Sequence, residues 1–474
     1  LNKRDFPKIH FYDQDFVDIY DRSWAWIQDF WCQPDVSIGM GKDKFFQQPT
    51  EDDLCQFDSI FSSFFLVYSN RIYPAHPQLD ALYAKQEESG AIRWRYNVKT
   101  GEPALTADNP EGVGMPLFAW AEFNLYHKTA NKKRVKEVIG TLQKYFAWLE
   151  ATFKAPNGLY AVPLSATNMA NSPREKAKYF VDFNTAMAIN ALYMSALGDI
   201  LNDKEISFRY KKAYFTIKTR VNSLMWNQDK GFYYDLDENE KQLGVKTIGA
   251  FWALLAEIPN EDRAELLISH LTNPEEFGTE HPFPTLAANE PEFSKDGNGY
   301  RGSVFAPYTY MIIKGLEKYN HYELARECAI RHMYYVLDSL NPEGSQKPTV
   351  WEAYKPQSEG PATWPGNDAF PRPQHLAYMG LSTVALMIEN VVGLSISLPR
   401  KTVDWIIPNL EIMGIENLSL KRNLITILSN KLSRGWEIHM ESEKLYYFTI
   451  NIIDKKKKTL PIPSGKCSML IDKL

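Results

Sequence analysis

The sequence predicts an all-α double ring of helices, an (α/α)6 barrel, followed by a small antiparallel β domain at the C-terminus. Three observations carry this expectation. Apolar residues recur at spacings of three and four in about twelve segments between Gln14 and Val392, the period of an amphipathic helix. Some segments, such as Asn184 to Leu197, are apolar around most of their circumference, as an inner ring buried on all sides requires. Beyond Val392 the period changes to two, the signature of half-buried strands. Residues 1–398 are therefore assigned to the barrel and 399–474 to a β-sandwich-like domain.

In chain order, Phe16, Ile19, Tyr20, Ile27 and Trp31 form the first stripe. Val135, Val138, Ile139, Leu142, Tyr145, Phe146 and Leu149 form a longer one. Helix starts are expected near Gln14, Cys55, His76, Met115, Asn131, Tyr179, Lys204, Thr247, Glu261, Ser303, Asn320 and Gln374. Short turns at Thr129-Ala130 and Tyr319-Asn320-His321 imply antiparallel neighbours. The long connections Ala155 to Ser172, Pro282 to Gly302 and Asn341 to Pro373 are rich in Pro, Gly, Asn and aromatics. Long structured loops of this kind usually carry function. In the last part, Trp436, Ile438 and Met440 alternate with polar residues, as do Phe448, Ile450 and Ile452. Leu424 to Leu428 fits another strand, with turns at Arg434-Gly435 and Asp454-Lys455.

The net charge is −5, with no basic stripe, which argues against a nucleic-acid partner. The run Lys455 to Lys458 reads as an exposed hairpin turn. No apolar run approaches the roughly 18 residues of a membrane span. Cys32, Cys55, Cys328 and Cys467 have no ligand spacing, so free thiols are expected, with no metal and no cofactor. The sequence sets no oligomeric state.

Four segments hold candidate chemistry. Trp351-Glu352-Ala353-Tyr354 puts a carboxylate between two large rings, where low polarity raises its pKa toward a base's working range. Trp364 follows among turn formers. Composition alone leaves an exposed loop Glu beside two core aromatics equally open. Arg174, after Asn171 and Ser172-Pro173, offers a planar fork to hydroxyls or carboxylates, or simply follows a helix-entry loop. Tyr300-Arg301-Gly302 presents a guanidinium to a ligand, or an Arg stacked on its neighbour. Phe57-Asp58 places a carboxylate on an apolar helix, where it either holds a ligand or bridges helices.

These segments resemble the motifs of glycoside hydrolase families 63 and 37, which include processing α-glucosidases, trehalases and mannosylglycerate hydrolases. Trp351 to Tyr354 resembles the clan's Trp-Glu-x-Tyr loop. Gly299 to Phe305 resembles Tyr-Trp-Arg-Gly-Pro-x-Trp, matching at Arg301 and Gly302. Phe57 to Phe61 resembles Trp-Asp-Ser-x-Phe, matching at Asp58. Met115 to Trp120, Gln86 to Ile92, Trp226 to Asp235 and Phe277 to Pro284 follow the clan in order, so the likeness spans the helical region. It implies an inverting glycosidase that binds a carbohydrate and activates water with Glu352. Phe57, Asp58, Asn171, Arg174, Asp182, Tyr300, Arg301, Gly302, Trp351, Tyr354 and Trp364 are then the substrate-binding candidates. It also implies a secreted or periplasmic location.

The departures are specific. The clan's Met-Asp-Asn-Ser-Pro-Arg aligns with Met169 to Arg174, so its general-acid Asp is Ala170 here. Phe57, Gly114 and Phe305 replace Trp, Gln and Trp. Glu175 and Asp182 are the carboxyls nearest in sequence to the vacant acid position. Three readings stand: a hydrolase of a small α-glycoside or oligosaccharide, a catalytically impaired carbohydrate-binding relative, and an (α/α)6 sugar epimerase or lyase that recruits His281, His332 or His375. All require Glu352, Asp58, Arg174 and Arg301 to converge on one pocket.

Overall fold

A computed structural model describes residues 6–49, 51–341, 347–407, 412–420, 423–432, 435–442, 446–452, 457–462 and 465–472. Polar side chains set several helix starts. Asp13 caps α1 (Gln14–Ile27), its carboxylate accepting from Asp15 N at 3.0 Å. Asn131, Asp203 and Asn260 cap α5 (Lys132–Phe153), α7 (Lys204–Leu224) and α9 (Glu261–Thr272) in the same way. The other helices are α2 (Gln56–Leu66), α3 (Pro77–Ala84), α4 (Phe118–Thr129), α6 (Val181–Ile200), α8 (Trp252–Leu255), α10 (Ala306–Lys318), α11 (Tyr322–Asp338) and α12 (Leu376–Gly380). A 3₁₀ turn, Ile248–Phe251, leads into α8, and α12 continues as a π-helical stretch, Leu381–Val391. The described residues thus hold twelve α-helices, each starting close to the position its apolar period predicted.

Burial follows the same periods. α6 buries nearly its whole circumference, whereas α7 buries Ser207, Tyr210, Tyr214, Ile217 and Val221, one stripe at helical spacing. The pair packs closely at Gly198, where a Cβ would stand 2.6 Å from Ser207 N. α2 packs on α4, α4 on α6, α6 on α8, α8 on α10, α10 on α12, and α12 again on α2. α3, α5, α7 and α11 pack on α2, α4, α6 and α10 respectively.

The C-terminal part is two sheets. One has five antiparallel strands in the order Lys8–His10, Met413–Leu420, Asn423–Leu432, Gly435–Ser442, Gly465–Asp472. The N-terminal segment therefore contributes an edge strand, with His10 Nε2 2.7 Å from Glu416. The other has the order Lys457–Ile462, Tyr446–Ile452, Thr402–Ile407, Leu394–Ser397. The expectation of a wholly antiparallel domain needs correction here. Tyr446–Ile452 runs parallel to Thr402–Ile407, because the chain crosses to the other sheet between them; a parallel pair needs such a crossover. The expected turns at Arg434-Gly435 and Asp454-Lys455 and the run Lys455 to Lys458 lie wholly or partly outside the described residues.

The β part is bonded to the helices. Trp405 is fully buried, and its indole N–H donates to Val392 O at 2.7 Å. Lys128 Nζ, in the last turn of α4, donates to Ile396 O at 2.8 Å, and Leu398 N donates to His127 O at 2.7 Å. Among the described residues, no helix is long and apolar enough to cross a membrane. Three cysteines, Cys32, Cys55 and Cys328, are free thiols. Removing the Trp405 ring opens a large void at this seam. Trp405→Ala should lower stability by about 3–5 kcal/mol in urea denaturation; a loss below ~1 kcal/mol would mean that the seam does not hold the two parts together.

Candidate active site

Glu352 sits in the connection between α11 and α12. Its N–H donates to Arg372 O at 2.9 Å, and Tyr354 exchanges backbone bonds with Val304 at 2.9 and 3.0 Å. Trp351 N donates to the Tyr354 hydroxyl at 2.9 Å, which tightens the turn behind the carboxylate. The Glu352 side chain is recessed, with the residue 8% exposed. Arg372 Nε donates to its Oε2 at 2.6 Å, and the same guanidinium pairs with Glu51. Burial pushes the Glu352 carboxyl up to about 7, opposed by the hydrogen bond from Arg372. A guanidinium this close favours the ionised form, which a base needs.

Asp58 lies in the first turn of α2. Its carboxyl is also pushed up to about 7, first by burial and then by the Glu352 charge, with Arg95 opposing. Arg95 is held over the Trp94 ring at 4.2 Å. Burial pushes the Tyr300 and Tyr378 phenols well above their ordinary value, and both carboxylates add to the effect. Both phenols therefore remain protonated donors.

These groups line one cavity of about 280 Å³. Phe57, Trp94, Tyr300, Trp364 and Tyr378 supply its rings, and Asp58, Arg95, Glu352 and Arg372 its charges. Tyr300 stacks on Phe305 with centroids 4.7 Å apart, and Trp364 meets Tyr300 edge-on at 86°. Ser165, Ala166, Asn168 and Ala170 reach the same cavity from the connection before α6, and Asp108 from the one before α4. The arrangement offers flat apolar rings for a sugar face, charged groups for its hydroxyls, and a carboxylate poised for proton transfer.

Of the catalytic and substrate-binding candidates singled out from sequence, Phe57, Asp58, Tyr300, Glu352 and Trp364 line the cavity, as do two of the departures from the clan, Gly114 and Ala170. The others do not, so convergence holds for Asp58 and Glu352 but not for Arg174 and Arg301. Arg174 is 2% exposed; Nη1 and Nη2 lie 2.9 and 3.1 Å from Asp182, with Asp235 at 3.6 Å. Asp182 is fully buried, so this pair is an internal clamp on the start of α6. Burial raises the Asp235 carboxyl to about 6 despite Arg174. Asn171 braces two loops, accepting from Tyr300 N at 2.7 Å and donating to Asn298 O at 2.8 Å. Arg301 donates to Asn171 O at 2.9 Å and pairs with Glu292 at 2.6 Å and Glu175 at 3.7 Å. Gly302 is a close-approach position: φ is 150°, and a Cβ would stand 2.4 Å from Ser294 O. Trp351 and Tyr354 support Glu352 from behind.

His281, His332 and His375 are buried and do not line the cavity. His281 Nε2 lies 2.6 Å from His332 Nδ1, whose ring reaches Ser382 at 2.6 Å. Burial lowers all three imidazoles, His332 to about 3, so they stay neutral. Arg95, Arg372, Glu51, Tyr378 and Asp108 were missed from sequence. The run Arg93-Trp94-Arg95-Tyr96, alternating cations and rings, and Arg372 between two prolines were the available signals. Among the described residues no group of His, Cys, Asp or Glu is placed to hold a metal ion.

Residues 75–370 match the family model of the mannosylglycerate hydrolase MGH1-like glycoside hydrolase domain, and residues 393–474 match the trehalase C-terminal domain. An uncharacterized protein of Borreliella burgdorferi is 53% identical over 100% of both chains. A solved sialidase structure is similar with a TM-score of 0.70 at 17% identity, covering 91% of this chain and 40% of that one. The glycoside hydrolase family 63 mannosylglycerate hydrolase from Thermus thermophilus, in complex with glucose, gives a TM-score of 0.60 at 16% identity, covering 78% and 98%. At such identities the structural likeness bears on fold alone, whereas the family model covers more than half of the chain. The chain belongs to the mannosylglycerate hydrolase MGH1-like glycoside hydrolase family, within the clan of families 63 and 37 that its motifs resemble.

Proposed function

We propose that this chain is an inverting hydrolase of a small α-glycoside or oligosaccharide, with Glu352 as the base that activates water. One observation carries the reading: Glu352, recessed and gripped by Arg372, shares an aromatic-walled cavity with Asp58 and with Ala170, at the clan's acid position. The cycle of even-numbered helices supports a further reading, that they form the inner ring of an (α/α)6 barrel over residues 1–398, with 399–474 as a separate β domain.

In an inverting reaction two carboxyl groups flank the scissile bond, roughly 6.5–9.5 Å apart. Ionised Glu352 takes a proton from water as the water oxygen attacks the anomeric carbon. Arg372 holds the carboxylate in place. The rings of Trp364, Tyr300 and Phe57 stack on the sugar, and Asp58 accepts from its hydroxyls. The departing oxygen needs a proton, and the Ala170 methyl has none to give. General-acid help is worth about 10²–10⁴-fold. The chain therefore favours leaving groups that depart without protonation. The same alanine favours a second reading, a carbohydrate-binding relative with impaired turnover.

Ala170→Asp separates the two readings. For a hydrolase with a missing acid, it should raise kcat on alkyl α-glycosides and disaccharides by about 10²–10⁴-fold, with little change on α-glycosyl fluorides. Absence of turnover on every substrate, in parent and variant alike, would leave only binding. Glu352→Gln should abolish hydrolysis of fluorides and alkyl glycosides together; parental rates in that variant would remove Glu352 as the base.

The Glu352 carboxyl also sets pH behaviour. A base must be ionised, so kcat/KM should fall as pH drops below about 7. The sign for stability is opposite. The folded state prefers the neutral carboxyl, so this preference is fully present below the ordinary Glu value and is lost as pH rises through about 7. Glu352→Gln should therefore gain stability over the parent at pH 8, on the order of 3 kcal/mol, and little at pH 4. Equal differences at both pH values would contradict a carboxyl held up by burial.

A further inference from the structure

A second cavity, of about 680 Å³, lies where the helices meet the β part. Arg71 follows α2, Lys128 is in the last turn of α4, and Lys132, Lys133 and Arg134 open α5; all five line it, and among the described residues no Asp or Glu does. Ser419 borders it from the strand Met413–Leu420. Some of this charge is already answered. Arg134 pairs with Asp80 at 2.9 Å and Glu122 at 2.7 Å, and Lys133 lies 3.9 Å from Glu137. Lys128 Nζ donates to the Ile396 carbonyl at 2.8 Å and lies over the Tyr68 ring at 6.0 Å. Arg71 and Lys132 are exposed and join no ion pair among the described residues. The chain as a whole carries −5, so this excess does not reflect a basic protein.

The placement at α5 breaks a local rule. A helix N-terminus carries partial positive charge, which favours carboxylates in the first turn and disfavours cations. The first turn of α5, a helix of 22 residues, holds Lys132, Lys133 and Arg134 and no acidic residue. Cations gathered at a positive helix end raise the energy of the empty state, and an anion among them relieves it. The volume suits a small molecule, and Val67 and Leu125 add an apolar wall.

We propose that this cavity binds a phosphate-bearing small molecule, of the sugar phosphomonoester class. The dianionic phosphate sits between the Arg71 fork and the Lys132 ammonium, beside an α5 N-terminus whose Arg134 N–H is already capped by Asn131, and the rest of the ligand lies against Val67 and Leu125. The site is separate from the Glu352 cavity and shares none of its lining residues.

Thermal shift and calorimetric titration of the full chain test this, with inorganic phosphate, glucose 6-phosphate and glucose as probes. Glucose 6-phosphate should raise Tm and bind with one-to-one stoichiometry, more tightly than phosphate. Added salt should weaken binding. The Arg71→Ala/Lys132→Ala double variant should bind about tenfold or more weakly, while Glu352→Gln binds as the parent does. In the absence of ligand, Lys132→Glu should raise Tm, because a carboxylate then meets the positive end of α5. The proposal is overturned if neither phosphate probe shifts Tm, or if the double variant binds as the parent does. Capture by phosphatidylglycerol vesicles with no response to the soluble phosphates would also overturn it.

Discussion

Burying the Glu352 carboxylate is the constraint around which the cavity is organised. A carboxyl group on a residue only 8% exposed is expensive to ionise, and the chain answers with one guanidinium. Arg372 donates to Glu352 at 2.6 Å and turns its other edge to Glu51, so one cation serves two carboxylates. The backbone repeats the grip, since Glu352 N also bonds Arg372 O. The position of Glu352 is thereby tied to the approach to α12 rather than to a mobile loop. Asp58, brought in by α2, feels the Glu352 charge, which together with burial keeps its proton affinity high. The site is a place where stability is given up for a titratable group at neutral pH.

The walls of the cavity are held from outside it. Beneath the segment that carries Ala170, Arg174 closes on Asp182 and Asp235, all three buried. Asn171 then bonds the segment that carries Tyr300, and Arg301 bonds back to Asn171. Residues that look like ligands of a substrate thus act as braces between connections from different helices. Ala170 reaches the cavity because its neighbours on both sides are fixed. A methyl group stands at that point, so the carboxyls that line the cavity come from Glu51, Asp58, Asp108 and Glu352 rather than from the connection before α6.

The helices were legible because a period of 3.6 is a local signal. Stripes such as Val135 to Leu149 give a helix and its buried face without knowledge of its partners. The strands were legible for the same reason, through a period of two. Strand pairing was not, since no local pattern places Lys8–His10 beside Met413–Leu420 or sets Tyr446–Ile452 parallel to Thr402–Ile407. The site divides along the same line. Glu352 was legible because its neighbours Trp351 and Tyr354 announce a desolvated turn. The motif around Arg174 was visible, but a motif gives adjacency and not side-chain direction, and the fork points into the protein. Arg95 lies just past the Gln86 to Ile92 motif and Arg372 at the end of the Asn341 to Pro373 connection, but neither belongs to a motif residue set, and only the fold brings them to Asp58 and Glu352. The basic cavity was hidden likewise, because Arg71, Lys128 and Lys132 form no stripe in a chain of net negative charge.

The central claim is that a sugar sits between Glu352 and Ala170. A crystal structure of the chain soaked with an α-linked disaccharide tests it most directly. The account predicts a ring stacked among Phe57, Tyr300 and Trp364, a water held by Glu352 near the anomeric carbon, and the glycosidic oxygen directed toward Ala170. A sugar bound elsewhere, or one seated in this cavity with its anomeric carbon turned away from Glu352, would contradict it.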